Sequence, residues 1–205
     1  MRISPIEKPS GLFARVAYWM SKRQLGKVMT PMKVVFARIP GTMFAEYGLV
    51  RVLEGNKLAL DAGLRFLVQT HVATLNGCAF CVDIGRAAAI YRNTPLEKLE
   101  AVAEYRTNPL FTPRERAALA YVEEATRHKR VGDATFAALR PHFDEREIVE
   151  ITWLCAVENY FNLINLPLEI ESDGLCAIAE RRRSAAAPAG GPLAAAERVT
   201  AARRP

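Results

Sequence analysis

The chain has 205 residues, with 28 Lys and Arg against 22 Asp and Glu and a formal charge of +6. Hydrophobic residues make up 50% of it, which is enough for one well-buried domain and excludes a disordered, collagen-like or disulfide-stapled small protein. The charge is uneven, because residues 1–60 carry +7, residues 61–180 carry −6 and residues 181–205 carry +5. The basic character therefore belongs to the two ends of the chain.

The first 60 residues predict an N-terminal arm packed on the body of the protein. Proline and glycine divide them into short segments, and an apolar run at residues 12–20 predicts a helix that packs on the body. A helix lying on a membrane surface is the alternative for this run. Arg15 splits it and no small-residue cleavage site follows, so it does not resemble an export signal.

No apolar run reaches the ~20 residues of a membrane-spanning helix, because Lys or Arg interrupts each candidate. We therefore expect a protein with no membrane partner. Four cysteines without an export signal indicate a reducing cytoplasm, where a close cysteine pair is more often catalytic or metal-binding than structural.

Residues 61–180 predict a helical core. Thr94, Thr112 and Asp144 are each followed three positions later by glutamate, the capping-box pattern of a helix start, which predicts three separate helices. Residues 148–166 are apolar nearly all round, as in a helix at a bundle centre or a subunit interface, and Pro167 ends them. Because no stretch shows the alternation of a hairpin, the sequence favours an all-α fold.

Residues 181–205 begin with three arginines and continue in Ala, Pro and Gly, which predicts a flexible basic tail. An arginine-bearing arm that contacts nucleic acid or an acidic partner is the alternative. No interleaved aromatic residues or reading helix support it, so we expect no nucleic-acid partner.

The residues that carry chemistry are Cys78 and Cys81 in a C-x-x-C motif that follows one apolar helix and opens another. At a helix start the two sulfurs lie within reach of a disulfide, and the helix dipole favours a thiolate. A zinc site is the rival interpretation, but no second pair with ligand spacing follows. Two small buried residues without chemistry are the third interpretation.

Residues 64–68 (LRFLV) and 73–83 (ATLNGCAFCVD) resemble the signature of the alkylhydroperoxidase D-like, or carboxymuconolactone decarboxylase, family. Residues 111–119 (FTPRERAAL) and 159–165 (NYFNLIN) are similar to its C-terminal half, so the resemblance covers roughly residues 25–172. It implies an all-α fold, a homotrimer or homohexamer, and reduction of peroxides through a C-x-x-C disulfide. Carried over, Cys81 is the peroxidatic cysteine and Cys78 resolves its sulfenic acid into a disulfide.

The family's peroxidases also use a glutamate and a histidine as a proton relay, and the matching positions here are Phe66 and Gly85. Neither residue can move a proton, and a positioned acid or base is worth about 10²- to 10⁴-fold in rate. His71 and Glu158 are the candidates for a relocated relay. An interfacial histidine and a salt-bridged or subunit-contacting glutamate are their structural alternatives.

These observations predict a cytoplasmic, oligomeric thiol–disulfide oxidoreductase without metal or cofactor. Its substrate is expected to be a hydroperoxide or a disulfide, and its electron donor a dithiol. Without the relay, disulfide exchange or weak peroxidase activity is favoured over efficient peroxide turnover. The alternative is a non-catalytic oligomeric or redox-sensing protein of the same fold. Decarboxylation of a lactone acid fits less well, because that branch of the family differs around the cysteines.

Overall fold

The computed structural model describes residues 1–186, which form nine α-helices and one π-helix (Met32–Phe36), joined by turns and short 3-10 segments, and contain no strand. The helices are α1 (Leu12–Leu25), α2 (Thr42–Glu54), α3 (Ala62–Asn76), α4 (Ala79–Tyr91), α5 (Glu97–Glu100), α6 (Pro113–His128), α7 (Asp133–Leu139), α8 (Glu145–Asn165) and α9 (Leu175–Ala186). The predicted all-α fold is confirmed.

Two of the three predicted capping boxes form. Thr112 and Asp144 each accept a hydrogen bond from the backbone N–H of the glutamate three positions later, and that glutamate accepts one from the cap's own N–H. These reciprocal bonds satisfy backbone donors that the first turn leaves free. They fix the starts of α6 and α8.

The third predicted box, at Thr94, is wrong. The backbone N–H of Thr94 donates to the carbonyl of Ala89 at 2.9 Å, and the preceding Asn93 has a left-handed φ of 54°. These are features of a helix C-terminus, so Thr94 ends α4 instead of starting a helix. The next helix, α5, begins later and has Leu96 at its cap position, with no side-chain cap hydrogen bond.

The N-terminal region is more helical than its proline and glycine content suggested. Gly11 and Gly26 flank α1, while Pro40 and Gly41 precede α2. The predicted breaks are therefore real, but the segments between them are helices. The region contacts the body at Asp173, whose side chain accepts hydrogen bonds from the backbone N–H and the hydroxyl of Thr30, both at 2.7 Å.

Helix α3 lies at the centre of the fold and packs against α4, α6 and α8. Its start is capped by the Asp61 side chain, and it ends at Gly77, whose φ of 71° permits a tight turn into α4. A core of aliphatic side chains joins α3 to α6 and α8, including Val68, Val122 and Ile151. A second core surrounds the cysteines between α3, α4 and α9.

Helix α8 has 21 residues and ends before Pro167, as its sequence predicted. It is buried along its contacts with α3 and α6, yet Val149 and Leu163 on its other side are exposed. Tyr160 of α8 donates a hydrogen bond to the Glu46 carboxylate of α2, which attaches the N-terminal region to the body. The predicted burial of α8 on several sides therefore holds for part of its surface.

The last described helix, α9, continues to Ala186 and so crosses the predicted boundary between core and tail at residue 181. The remaining predicted tail, residues 187–205, lies outside the described residues. Across residues 1–186, no helix has the combined length and apolar character that crossing a membrane requires.

Candidate functional site

Cys78 and Cys81 form a disulfide at the start of α4, with their Cα atoms 5.3 Å apart. Cys78 is the cap residue of α4, and its sulfur accepts a hydrogen bond from the backbone N–H of Cys81 at 3.3 Å. The tight turn at Gly77 brings the motif directly after α3, because the Cys78 N–H donates to the Ala73 carbonyl at 2.9 Å. Local sequence alone thus places both sulfurs at a helix N-terminus, where negative charge is favoured.

Asn165, the last residue of α8, contacts the disulfide from across the fold. Its Nδ2 lies 3.4 Å from the Cys81 sulfur and 4.0 Å from the Cys78 sulfur. Its Oδ1 is buried without a hydrogen-bond partner among the described residues. The amide is therefore oriented with its donor side toward sulfur, which suits a thiolate at Cys81.

Glu158 lies on the same face of α8 as Asn165, in a buried polar cluster. Its Oε1 accepts from Asn162 Nδ2 at 2.7 Å, and Asn162 Oδ1 accepts from Asn76 Nδ2 at 2.7 Å. Burial raises the pKa of Glu158 to about 7, and the hydrogen bond from Asn162 opposes this rise. Glu158 can therefore gain or lose a proton near neutral pH.

His71 lies in a different part of the core. Its ring packs edge-on against Tyr105, with ring centroids 4.9 Å apart, and its Nε2 is 3.8 Å from Glu123 Oε2. Neither imidazole nitrogen has a hydrogen-bond partner within residues 1–186. Burial lowers its pKa to about 4, so the ring is neutral at physiological pH. This environment belongs to the contact between α3 and α6, whereas the disulfide belongs to the core of α3, α4 and α9.

The two other cysteines have different environments. Cys155 is buried in the core of α3, α6 and α8, and burial raises the pKa of its thiol. Cys176 is half-buried in the first turn of α9. Within residues 1–186, no group of three or more His, Cys, Asp or Glu side chains is arranged to hold a metal ion.

An open cavity of ≈ 460 Å³ lies beside Cys78, between α3, α4 and the start of α9. Its polar lining includes Thr74, Asp83, Arg86, Ser172 and Cys176. Cys78 therefore lines a space large enough for a small ligand, while Cys81 lies on the Asn165 side of the disulfide.

Asp83 holds one wall of this cavity in place. Its two carboxylate oxygens accept hydrogen bonds at 2.8 Å from the backbone N–H groups of Leu175 and Cys176, which open α9. A carboxylate at a helix N-terminus satisfies free donors and complements the helix dipole. Asp83 thereby attaches α9 to α4, next to the cysteines.

Comparison with known proteins identifies the family of this chain. The sequence pattern of the carboxymuconolactone decarboxylase family matches residues 43–124. The uncharacterised protein YnjA of Escherichia coli K12 is 35% identical over 183 residues, which cover 89% of this chain and all of YnjA. The chain belongs to the carboxymuconolactone decarboxylase family.

Solved structures share the fold at lower identity. A cysteine-to-alanine variant of the debrominase Bmp8, in complex with 2,3,4-tribromopyrrole, has a TM-score of 0.73 at 16% identity and covers 89% of this chain and 97% of its own. An uncharacterised peroxidase-related protein from Silicibacter sp. TM1040 has a TM-score of 0.70 at 21% identity and covers 81% of this chain and 87% of its own. The fold of the family therefore occurs with more than one chemistry.

The positions that match the relay of this family's peroxidases contain no acid or base. Phe66 packs its ring into an apolar cluster with Leu67 and Tyr105. Gly85 faces Thr70, whose Oγ1 would lie 3.6 Å from a Cβ added at Gly85 and has no hydrogen-bond partner among the described residues. The first position thus holds an aromatic ring, and the second has only the Thr70 hydroxyl beside it, at ordinary contact distance from an added side-chain carbon.

Three residues near the disulfide were not predicted from the sequence to belong to the candidate site: Asn165, Arg86 and Cys176. Asn165 had a detectable signal, because Glu158, Asn162 and Asn165 recur at intervals of four and three residues along an otherwise apolar helix. Arg86 and Cys176 had none, since they meet only where α4 packs against α9.

Proposed function

We propose that this protein is a thiol–disulfide oxidoreductase that acts through Cys78 and Cys81. The observation that carries the proposal is a C-x-x-C disulfide at a helix N-terminus, with an amide N–H 3.4 Å from the Cys81 sulfur. After reduction, the helix dipole and the Asn165 amide stabilise a thiolate at Cys81. A thiolate is the form of cysteine that attacks peroxides and disulfides.

With a hydroperoxide, the Cys81 thiolate attacks the terminal peroxide oxygen. A sulfur–oxygen bond forms, the oxygen–oxygen bond breaks, and an alcohol leaves after taking up one proton. The Cys78 thiol then attacks the sulfenic acid of Cys81, which forms the disulfide and releases water. A dithiol donor returns the pair to its reduced state and is itself oxidised to a disulfide.

Disulfide exchange is favoured over fast peroxide turnover, because the leaving alkoxide needs a proton that Phe66 and Gly85 cannot supply. A positioned general acid contributes ~10²- to 10⁴-fold, so the peroxide reaction is expected to be slower by about that factor than with a complete relay. Exchange with another disulfide has a thiolate as its leaving group and needs such help less.

Glu158 is the better of the two candidates for a relocated relay. It is buried, its pKa of about 7 suits proton transfer at neutral pH, and it shares a helix face with Asn165. Seven residues separate the two, which is about 10 Å along the helix axis, so a proton from Glu158 must pass through water or intermediate groups. His71 packs against Tyr105 and Glu123 instead and fits a structural role.

The experiment is stopped-flow oxidation of the reduced protein by cumene hydroperoxide, with thiol counting. In the wild type, we expect two thiols to disappear together. In Cys81→Ser, we expect no oxidation of the remaining Cys78 thiol by the peroxide. In Cys78→Ser, we expect a sulfenic acid that dimedone can trap. Cys155→Ala is the control, because that thiol lies in the core and its pKa is raised. The proposal fails if Cys78 and Cys81 react with neither peroxide nor a small disulfide over about an hour.

A non-catalytic, redox-sensing role is the second candidate. The observation that favours it is the burial of both sulfurs, since Cys78 is 1% exposed and Cys81 is 6% exposed, together with the missing relay. Turnover separates the two candidates. An enzyme consumes many equivalents of hydroperoxide or disulfide when a dithiol is supplied, whereas a sensor reacts once per chain and stops.

We also propose a cytoplasmic homo-oligomer, a trimer or a hexamer. Support comes from large apolar side chains exposed on α1, α2 and α8, among them Trp19, Phe44 and Leu163. Apolar surface of this extent is typical of subunit interfaces. Light scattering coupled to size-exclusion chromatography tests the assembly, and a monomer at all concentrations would contradict it.

A further inference from the structure

The cavity beside Cys78 contains an arginine whose charge the described part of the chain leaves unmatched. The Nε of Arg86 is buried without a hydrogen-bond partner, and its guanidinium makes no ion pair within residues 1–186. Asp83 lines the same cavity, but both of its oxygens accept hydrogen bonds from the first N–H groups of α9. A buried donor without a partner is unfavourable, so a ligand that accepts a hydrogen bond from Arg86 is favoured.

The position of Arg86 relative to the disulfide suggests what that ligand is. Arg86 and Cys78 line one cavity of ≈ 460 Å³, within the ~300–1,000 Å³ typical of small-molecule sites. The other cysteine in the cavity wall, Cys176, has a pKa raised by burial and by nearby carboxylates, so it is a protonated thiol at neutral pH. The thiolate that opens the disulfide must therefore enter from outside.

We propose that Arg86 binds the carboxylate of a small thiol, and that this thiol reduces the Cys78–Cys81 disulfide through the cavity. This inference rests on the proposed redox function and names the chemical class of its electron donor. A planar guanidinium pairs with a carboxylate through two parallel hydrogen bonds, which holds the donor in one orientation.

The reaction takes two steps. The donor thiolate attacks the Cys78 sulfur, a new sulfur–sulfur bond forms, and the Cys78–Cys81 bond breaks, with its electron pair leaving on the Cys81 sulfur. Asn165 Nδ2, 3.4 Å from that sulfur, stabilises the departing thiolate. A second donor thiolate then attacks the donor sulfur of the mixed disulfide, which releases Cys78 as a thiolate and the donor as its disulfide.

The test compares two thiols that share a skeleton, 3-mercaptopropionate and 3-mercaptopropionamide. The rate at which each thiol reduces the Cys78–Cys81 disulfide is measured by quenched alkylation and mass spectrometry. The ratio of the carboxylate's rate to the amide's rate is then divided by the ratio of the same two rates with bis(2-hydroxyethyl) disulfide as the substrate. This division removes the intrinsic difference between the thiols. We expect the wild type to prefer the carboxylate by roughly 5- to 20-fold at low ionic strength, and less at high salt.

Three variants complete the test. Arg86→Gln is expected to abolish the preference and Arg86→Lys to keep part of it. Arg92→Gln, at an exposed arginine directly after the end of α4 that donates to the Glu54 carbonyl, is expected to keep all of it. An equal preference for the carboxylate in wild type and Arg86→Gln overturns the proposed role of Arg86 but leaves the proposed redox function standing. If neither thiol opens the disulfide in the folded protein, the proposed redox function fails as well.

Discussion

Asn165 and Cys81 are 84 residues apart in sequence, yet the amide of one lies 3.4 Å from the sulfur of the other. The contact joins the end of α8 to the start of α4, and Asn165 is the one side-chain donor in residues 1–186 within hydrogen-bond distance of the Cys81 sulfur. Because the opposite amide atom, Asn165 Oδ1, has no partner in the described chain, stability of the fold does not explain why an amide is placed there.

Replacing Asn165 by leucine is therefore expected to raise the pKa of the Cys81 thiol. Loss of one hydrogen bond to a thiolate corresponds to about one pKa unit, so alkylation by iodoacetamide at neutral pH should slow by roughly 5- to 10-fold. The measurement is the pH dependence of alkylation in a Cys78→Ser background. Asn56→Leu, at an exposed position, is the matched control. Identical titration curves with and without Asn165 would show that the amide does not act on the sulfur.

Glu158→Gln is expected to stabilise the protein at alkaline pH. The folded-state pKa of about 7 lies above the ordinary 4.5, so the folded state holds the proton more tightly. The contribution of this proton to the free energy of unfolding is therefore complete below about pH 4.5 and is lost as the pH rises to about 7. The glutamine keeps an acceptor for Asn162 without the buried charge. We expect a gain of about 2–3 kcal/mol at pH 8, and little difference at pH 4.5, by urea unfolding.

The same variant also tests proton delivery. If Glu158 supplies the proton in the peroxide reaction, Glu158→Gln reacts with cumene hydroperoxide more slowly while its exchange with small disulfides is unchanged. Equal rates with peroxide would remove Glu158 from the mechanism and leave it a structural role.

His71→Phe is expected to reduce the sensitivity of the fold to acid. The pKa of about 4 lies below the ordinary 6.5, so the folded state binds this proton less tightly than the unfolded chain. Stability is therefore lost as the pH falls from about 6.5 to about 4, by up to about 3 kcal/mol. Phenylalanine can keep the edge-on contact with Tyr105 without a titrating group. Thermal unfolding between pH 7 and pH 4 provides the measurement.

For the oxidation of Cys81, the expected effect of His71→Phe is none, because the imidazole contacts Tyr105 and Glu123. A slower reaction with peroxide in a variant that is folded and retains both thiols would mean that His71 belongs to the proton path after all.

The double variant Phe66→Glu with Gly85→His is expected to gain peroxidase activity. It introduces the acid and base of the family's relay, and a first side-chain carbon at Gly85 meets only ordinary contact, 3.6 Å from Thr70 Oγ1. General acid–base catalysis contributes at least about 10²-fold, so we expect the peroxide rate to rise roughly 10-fold even if the two new side chains are imperfectly placed. Gly85→Ala with Phe66→Leu is the control. An unchanged peroxide rate in a folded double variant would mean that proton supply does not limit the reaction.

The parts of the fold that could be predicted from the sequence are those set by local chemistry. The caps at Thr112 and Asp144 involve residues three positions apart, and the C-x-x-C turn is complete within residues 73–81. Thr94 shows the limit of such patterns, because the end of α4 uses the same backbone groups that a new helix start would need.

The parts of the site that could not be predicted depend on helix packing. Asn165 approaches Cys81 only after α8 packs beside α3 and α4. Arg86 and Cys176 share a cavity only because Asp83 attaches the start of α9 to α4. The sequence pattern identifies these residues as helical but contains no information on which helix faces they share.

The most direct test of the central claim, that Cys78 and Cys81 are a redox-active pair, is a redox titration. The folded protein is equilibrated in glutathione buffers of increasing reducing power, and the state of the pair is read by alkylation and mass spectrometry. A redox-active pair titrates reversibly with two electrons and a midpoint potential above about −300 mV. Asn165→Leu is expected to make that potential more negative, because the reduced pair loses a hydrogen bond that stabilises the Cys81 thiolate. A pair that stays oxidised in every buffer and opens only when the protein is unfolded would be a structural disulfide and would contradict the claim.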